Sequence, residues 1–100
     1  MKDLYGLFGE VLTHSYSPII HSAILKKINL PGYYHLFEMP KSDIGIAIEG
    51  LKVLGARGIN VTIPHKLSVI EHLDEISPEA EKIGSVNTIK FQNDKTIGYN

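Results

Sequence analysis

Cysteine is missing altogether from the 100 residues. Without a thiol, disulfide staples, iron–sulfur clusters, zinc–thiolate sites and cysteine nucleophiles are excluded, so packing alone must hold the fold. A reducing compartment suits such a chain, and a cytoplasmic location is expected. A surplus of one charge is also lacking: ten Lys and Arg stand against eleven Asp and Glu, a formal net charge of -1. No basic excess exists to attract phosphates regardless of sequence, which argues against a nucleic-acid partner. Long hydrophobic runs are absent too: none approaches the ~18 apolar residues that span a bilayer. Met1-Lys2-Asp3-Leu4-Tyr5 lacks the apolar core of a signal peptide. A soluble chain with no membrane partner is expected. Repeats, low-complexity tracts and flexible linkers are lacking as well, so residues 1–100 read as one domain. What remains is a globular composition, with 43% hydrophobic residues and a mean hydropathy of essentially zero, enough for one modest core.

Hydrophobic periodicity divides the chain into alternating strands and helices. Residues 4–9 form a short apolar run closed by Gly9, which suits a buried strand. A polar loop over 10–17 leads to Ser17-Pro18, a hydroxyl cap followed by a proline that loses no hydrogen bond in the first turn. Ile19, Ile20, Ala23, Ile24 and Ile28 then recur at helical spacing until Asn29-Leu30-Pro31-Gly32 ends the element. Tyr33 to Met39 is an aromatic-rich strand stopped by Pro40. A second helix is capped by Ser42 or Asp43, buried through Ile44, Ala47, Ile48, Leu51 and Leu54, and released at Gly55. Residues 58–63 alternate as a strand before Pro64. Leu67, Val69, Ile70 and Leu73 mark a third helix starting around His65-Lys66, and Ser77-Pro78-Glu79 caps a short fourth that ends at Gly84. Strands at 86–91 and 96–99, joined by a turn at Asn93-Asp94, complete the order βαβαβααββ.

Right-handed crossovers between such elements predict an α/β fold, three layers α/β/α, around a mixed, mostly parallel sheet. The chain closes on a strand with no helix to finish it, as a piece of a longer protein would. Open sheets of this kind hold ligands at the carboxyl ends of their strands, near the point where strand order reverses.

That rule selects three polar segments. His14-Ser15-Tyr16-Ser17 follows the first strand and precedes a helix. Two hydroxyls spaced one residue apart, backed by free N–H groups and a positive helix end, suit a carboxylate or phosphate, although Ser17 serves equally as an ordinary cap. In Gly58-Ile-Asn60-Val-Thr62-Ile-Pro64-His65-Lys66 a strand delivers polar side chains to its end and the next helix begins on a lysine. An ammonium in the first helical turn opposes the macrodipole by ~0.3–1 kcal/mol. Such a costly placement invites a functional explanation for Lys66, a solvated surface lysine being the plain alternative. Asn87, in Gly84-Ser85-Val86-Asn87-Thr88, enters a strand. Its carboxamide can grip a hydroxyl as donor and acceptor, or stabilise its own turn.

His14, His21, His35, His65 and His72 show no metal-ligand spacing, so no metal is expected. Neither a Gly-x-Gly-x-x-Gly turn nor a Walker loop occurs, so no cofactor-binding residues are expected in this chain.

Taken together, His14-Ser15-x-Ser17-Pro18 with His21-Ser22, then Gly58-x-Asn60-Val61-Thr62-Ile63-Pro64-x-Lys66, Gly84-x-Val86-Asn87-Thr88 and Gly98-x-Asn100 resemble the substrate-binding domain of shikimate dehydrogenases, in the family's order and spacing. The resemblance implies an N-terminal α/β domain that holds shikimate or 3-dehydroshikimate, followed by a C-terminal Rossmann domain that holds NADP and exchanges hydride with C3 of the ring. It implies that Ser15 and Ser17 bind the ring carboxylate, and that Thr62, Lys66 and Asn87 hold the ring hydroxyls or the ketone. Lys66 is the catalytic residue it implies, working with an aspartate that the family places two residues beyond Asn100; Asn60 supports the loop. Val11, Ser22 and Ser85 stand where the family commonly has proline, asparagine and alanine, and none is an implied ligand contact. A homodimer is compatible with this picture. Residues 1–100 alone are expected to be inactive, lacking both cofactor domain and acid partner. Two other classes stay open: a non-catalytic domain sensing a ligand of the same pathway, and an α/β interaction domain whose polar segments merely cap helices.

Overall fold

A computed structural model describes residues 3–10, 32–62 and 64–100. Strands β1 (Asp3–Gly9), β2 (Gly32–Glu38), β3 (Gly58–Val61), β4 (Glu75–Ile76), β5 (Thr88–Gln92) and β6 (Lys95–Tyr99) form one sheet in the order β2-β1-β3-β5-β6-β4. β1 pairs in parallel with β2 and β3, and β4 in parallel with β6. Only β5 runs against its neighbours. The sheet is thus mixed and mostly parallel, as the alternating pattern predicts.

Side-chain alternation along the strands gives the sheet two distinct faces. Phe8, Ile59, Val61 and Ile89 turn to one, where they meet Ile44, Ile48 and Leu51 of helix α1 (Ile44–Val53), Val69, Ala80 and Val86. Phe8, Ile44, Val69, Val86 and Ile89 are fully buried there, and each such aliphatic or aromatic side chain contributes ~1.5–3 kcal/mol on leaving water. The opposite face carries Leu7 and Tyr34, with Tyr5 and Leu36 against them. Helix α1, the turn α2 (His65–Ser68) and helix α3 (Pro78–Ile83) turn their buried residues, Ile44, Ile48 and Leu51, His65, and Ala80, inward. The helix predicted after Ser17, which would supply the third layer, lies outside the described residues.

Several local expectations hold. Ser77 Oγ accepts the Ala80 N–H at 3.1 Å and caps α3. Gly84 closes that helix at φ 80, a left-handed conformation that favours glycine. Asn93 and Asp94, with φ 51 and 62, make the two-residue turn between β5 and β6.

Others differ. Neither Ser42 nor Asp43 caps α1 with its side chain; a 3-10 turn over Lys41–Asp43 leads in, and the Ile44 N–H donates to Lys41 O. Leu54, expected on the buried face, is 73% exposed, because α1 ends at Val53 and the chain swings away through Gly55. The third helix is a single turn followed by a 3-10 turn at Ile70–His72. His65 and Val69, four apart and so on one side of the turn, enter the core, while Leu67 on another side is 67% exposed. β4 escapes detection from sequence because two residues carry no period. It is held by pairing with Ile97 and Gly98, and by Asp74, whose Oδ2 accepts the Thr96 N–H at 2.8 Å and the Thr96 hydroxyl at 3.2 Å.

Candidate functional site at the ends of the central strands

Buried Ile59 and Val61 anchor β3 in the core, so the residues between and beyond them, Asn60 and Thr62, present to the other face. Thr62 sits just past the strand. Its N–H donates to Phe8 O and its carbonyl accepts the His65 N–H, both at 3.0 Å, which ties the ends of β1 and β3 to the start of α2. The Lys66 carbonyl accepts the Val86 N–H at 3.0 Å, and Asn87 O accepts the Val61 N–H at 2.8 Å. Because β5 is antiparallel to β3, its beginning lies beside the end of β3, and Thr62, Lys66 and Asn87 gather at one edge of the sheet. Two of the three polar segments are therefore brought together through their backbones. Ser15 and Ser17 lie outside the described residues.

His65, in sequence only one of five histidines, is the buried neighbour of Lys66. Its ring is wholly buried, its Nε2–H donates to Met39 O at 2.8 Å beyond the end of β2, and Nδ1 has no partner among the described residues. With His65 inward, Lys66 is half-buried at the edge. The described ion pairs engage Lys52, Arg57, His72 and Lys95, so no carboxylate among the described residues lies within 4.0 Å of the Lys66 ammonium. Since α2 is one turn long, the dipole opposing Lys66 is weaker than a full helix would give.

Sequence alone also misses a chain of side-chain hydrogen bonds. The Tyr34 hydroxyl donates to Asn60 Oδ1 at 3.0 Å, Asn60 Nδ2 to Thr88 Oγ1 at 3.4 Å, and the Thr88 hydroxyl to Asn87 Oδ1 at 3.0 Å. Asn87 Nδ2 donates to Asn100 Oδ1 at 3.4 Å, and Asn100 Nδ2 to Ser85 Oγ at 2.8 Å and Ser85 O at 3.0 Å. No sequence period signals it, because its members come from four separate segments. A hollow of about 390 Å³ opens on the same face, lined by Tyr5, Tyr34, Asn60, Thr88 and Tyr99 among others. Thr62, Lys66 and Asn87 do not line it. Thr62, Lys66 and Asn87 thus lie close in the backbone at the strand-end edge, outside the lining of the hollow.

An open α/β sheet with polar groups collected where its central parallel strands end is a small-molecule binding domain by architecture. A family model described as the shikimate dehydrogenase substrate binding domain matches residues 7–89, and the chain belongs to that family. It is 47% identical over its whole length to a shikimate dehydrogenase (NADP(+)) of Bacillus subtilis, of which it covers 36%. A shikimate dehydrogenase solved in complex with NADP+ matches with TM-score 0.89 and 44% identity over 99% of this chain and 34% of that one. The Thermus thermophilus enzyme, solved with NADP(H) and shikimate, matches with TM-score 0.86 and 32% identity over 98% of this chain and 37% of that one. The chain thus spans about a third of the length of these relatives.

Proposed function

We propose that this chain is the shikimate-binding domain of a two-domain, NADP-dependent shikimate dehydrogenase that interconverts 3-dehydroshikimate and shikimate in the cytoplasm. The observation that carries the proposal is the junction of Thr62, Lys66 and Asn87 at one sheet edge, held by the Val86–Lys66 and Val61–Asn87 backbone bonds. Residues 1–100 then form one domain of a longer chain.

In this role Ser15 and Ser17 hold the ring carboxylate, as the family resemblance implies, and supply binding energy remote from the reacting carbon. Thr62 and Asn87 orient ring hydroxyls. The Lys66 ammonium meets the negative charge that develops on the C3 oxygen as the ketone is reduced, and passes a proton to or from that oxygen. NADP supplies or accepts the hydride. This chain has no Gly-rich strand-to-helix turn to hold it, so the cofactor belongs to a further domain.

The test is NADP-dependent oxidation of shikimate by the full-length protein and its Lys66→Ala variant. Substitution should lower kcat by about 10²–10⁴-fold while KM changes far less, because the ammonium acts mainly on the transition state. Equal effects on kcat and KM would assign Lys66 to binding alone. Shikimate binding without turnover would favour a sensing domain instead.

A further inference from the structure

We infer that Thr88 is a positioning residue for Asn87, and that Asn60 and Tyr34 set the direction of its hydroxyl. The inference rests on the proposed role of Asn87 as a substrate contact and extends it to residues outside the contact set.

A carboxamide is nearly the same shape in either flip, but a flip exchanges donor for acceptor. A site that relies on Asn87 must therefore fix which end faces the ligand. The chain of hydrogen bonds does so because every link runs the same way. The Tyr34 hydroxyl, on β2, reaches over β1 to occupy Asn60 Oδ1 at 3.0 Å. Asn60 must then present its amino group to Thr88, at 3.4 Å. With its oxygen already accepting, the single Thr88 proton goes to Asn87 Oδ1 at 3.0 Å. On the far side the Asn87 amino group faces Asn100 Oδ1 at 3.4 Å, and Asn100 is itself locked by its amino group on Ser85 Oγ at 2.8 Å. The two 3.4 Å links are long for hydrogen bonds and contribute direction more than energy.

Backbone constraints act on the same residue. The Asn87 N–H donates to Tyr99 O at 2.9 Å and Asn87 O accepts from Val61 at 2.8 Å, so the main chain cannot turn to compensate for a flipped side chain. One N–H and one acceptor lone pair remain for a ligand. The polarity that Asn87 shows to a ring hydroxyl is thus fixed from two sides, by a phenol two strands beyond β3 and by Asn100 held on Ser85.

The experiment uses the proposed dehydrogenase at full length and compares Asn87→Ala, Thr88→Val, Thr88→Ser and Tyr34→Phe. Thr88→Val keeps the shape and removes the hydroxyl; Thr88→Ser keeps the hydroxyl and removes a methyl. Thr88→Val should raise KM for shikimate by about five- to tenfold, as expected for one lost orienting hydrogen bond. Thr88→Ser should stay within about twofold of the parent, and the pH profile of kcat should not move in either. Packing alone predicts the opposite order, with the serine variant the more impaired, and that order overturns the inference. A parental KM in Thr88→Val also overturns it if Asn87→Ala raises KM. An unchanged KM in Asn87→Ala overturns both this inference and the proposed role of Asn87. Tyr34→Phe, which removes the first donor but keeps the ring, carries the same test from another strand, with a rise of about twofold expected and a parental KM counting against the inference.

Discussion

Gly98→Ala adds one carbon to the middle of β6, and the structure says what that carbon meets. A Cβ at Gly98 would lie 2.7 Å from Leu73 Cδ1 and 2.8 and 3.2 Å from the two γ carbons of Val86. Relaxed carbon contacts fall near ~3.5–4.0 Å. The Leu73 methyl is the end of a flexible, half-buried side chain and can move aside. Val86 is fully buried and β-branched, so it cannot. Overpacking of this kind costs ~1–3 kcal/mol, offset in part by the ~0.5–1 kcal/mol that alanine gains over glycine inside a strand. A net loss of about 1–2 kcal/mol follows, which in a domain of this size lowers Tm by roughly 4–8 °C per kcal/mol.

Val86→Ala supplies the control. Alone it leaves a cavity at a cost of about 2–3 kcal/mol. In the double variant the methyl introduced on β6 enters that space, so the combined loss should fall short of the sum by about 1–2 kcal/mol. Urea unfolding followed by circular dichroism measures all four proteins. Additivity within about 0.5 kcal/mol would refute the steric account, and with it the claim that β6 must carry glycine where it passes Val86.

Two further outcomes concern the frame of the site. The Thr96 N–H, opposed by some desolvation and aided by the Thr96 hydroxyl, Lys52 and Lys95, holds the Asp74 carboxyl below the ordinary aspartate range. A group lowered on folding stabilises above its unfolded value and loses that contribution as pH falls through the folded one. Asp74→Asn should therefore be less stable than the parent above about pH 4, with the gap closing in more acid solution; a gap of constant size across urea titrations at several pH values would remove the carboxylate from the account. Ser77→Ala deletes the α3 cap and should cost ~0.5–2 kcal/mol, read as faster amide hydrogen exchange at Ala80. Unchanged exchange there would mean that α3 is held by packing of Ala80 alone.

Local chemistry was legible wherever it acts over a few residues. Ser77-Pro78 starts a helix and Gly84 stops it, Asn93-Asp94 turns a hairpin, and Pro40 stands just past the end of β2, because caps, left-handed turns and missing N–H groups are decided by neighbours in sequence, whereas β3, expected to run to Pro64, ends at Val61. Alternation also placed Asn60 and Thr62 opposite the buried Ile59 and Val61. The polar motifs single out Thr62, Lys66 and Asn87 as candidates, and the resemblance they carry reaches the family with no tertiary information at all.

Tertiary structure decided what depends on strands far apart in the chain. β4 exists only because β6 offers it an edge, and which side of the turn at His65 is buried was decided by a core built by other segments. Whether Thr62, Lys66 and Asn87 are neighbours depends on β5 running antiparallel to β3, a pairing between residues separated by 28 positions at Asn60 and Thr88. No periodicity encodes such long-range register; it is set by which faces can be buried together. The orientation of the Asn87 carboxamide belongs to the same class, since it passes from Tyr34 through side chains that only the folded sheet aligns.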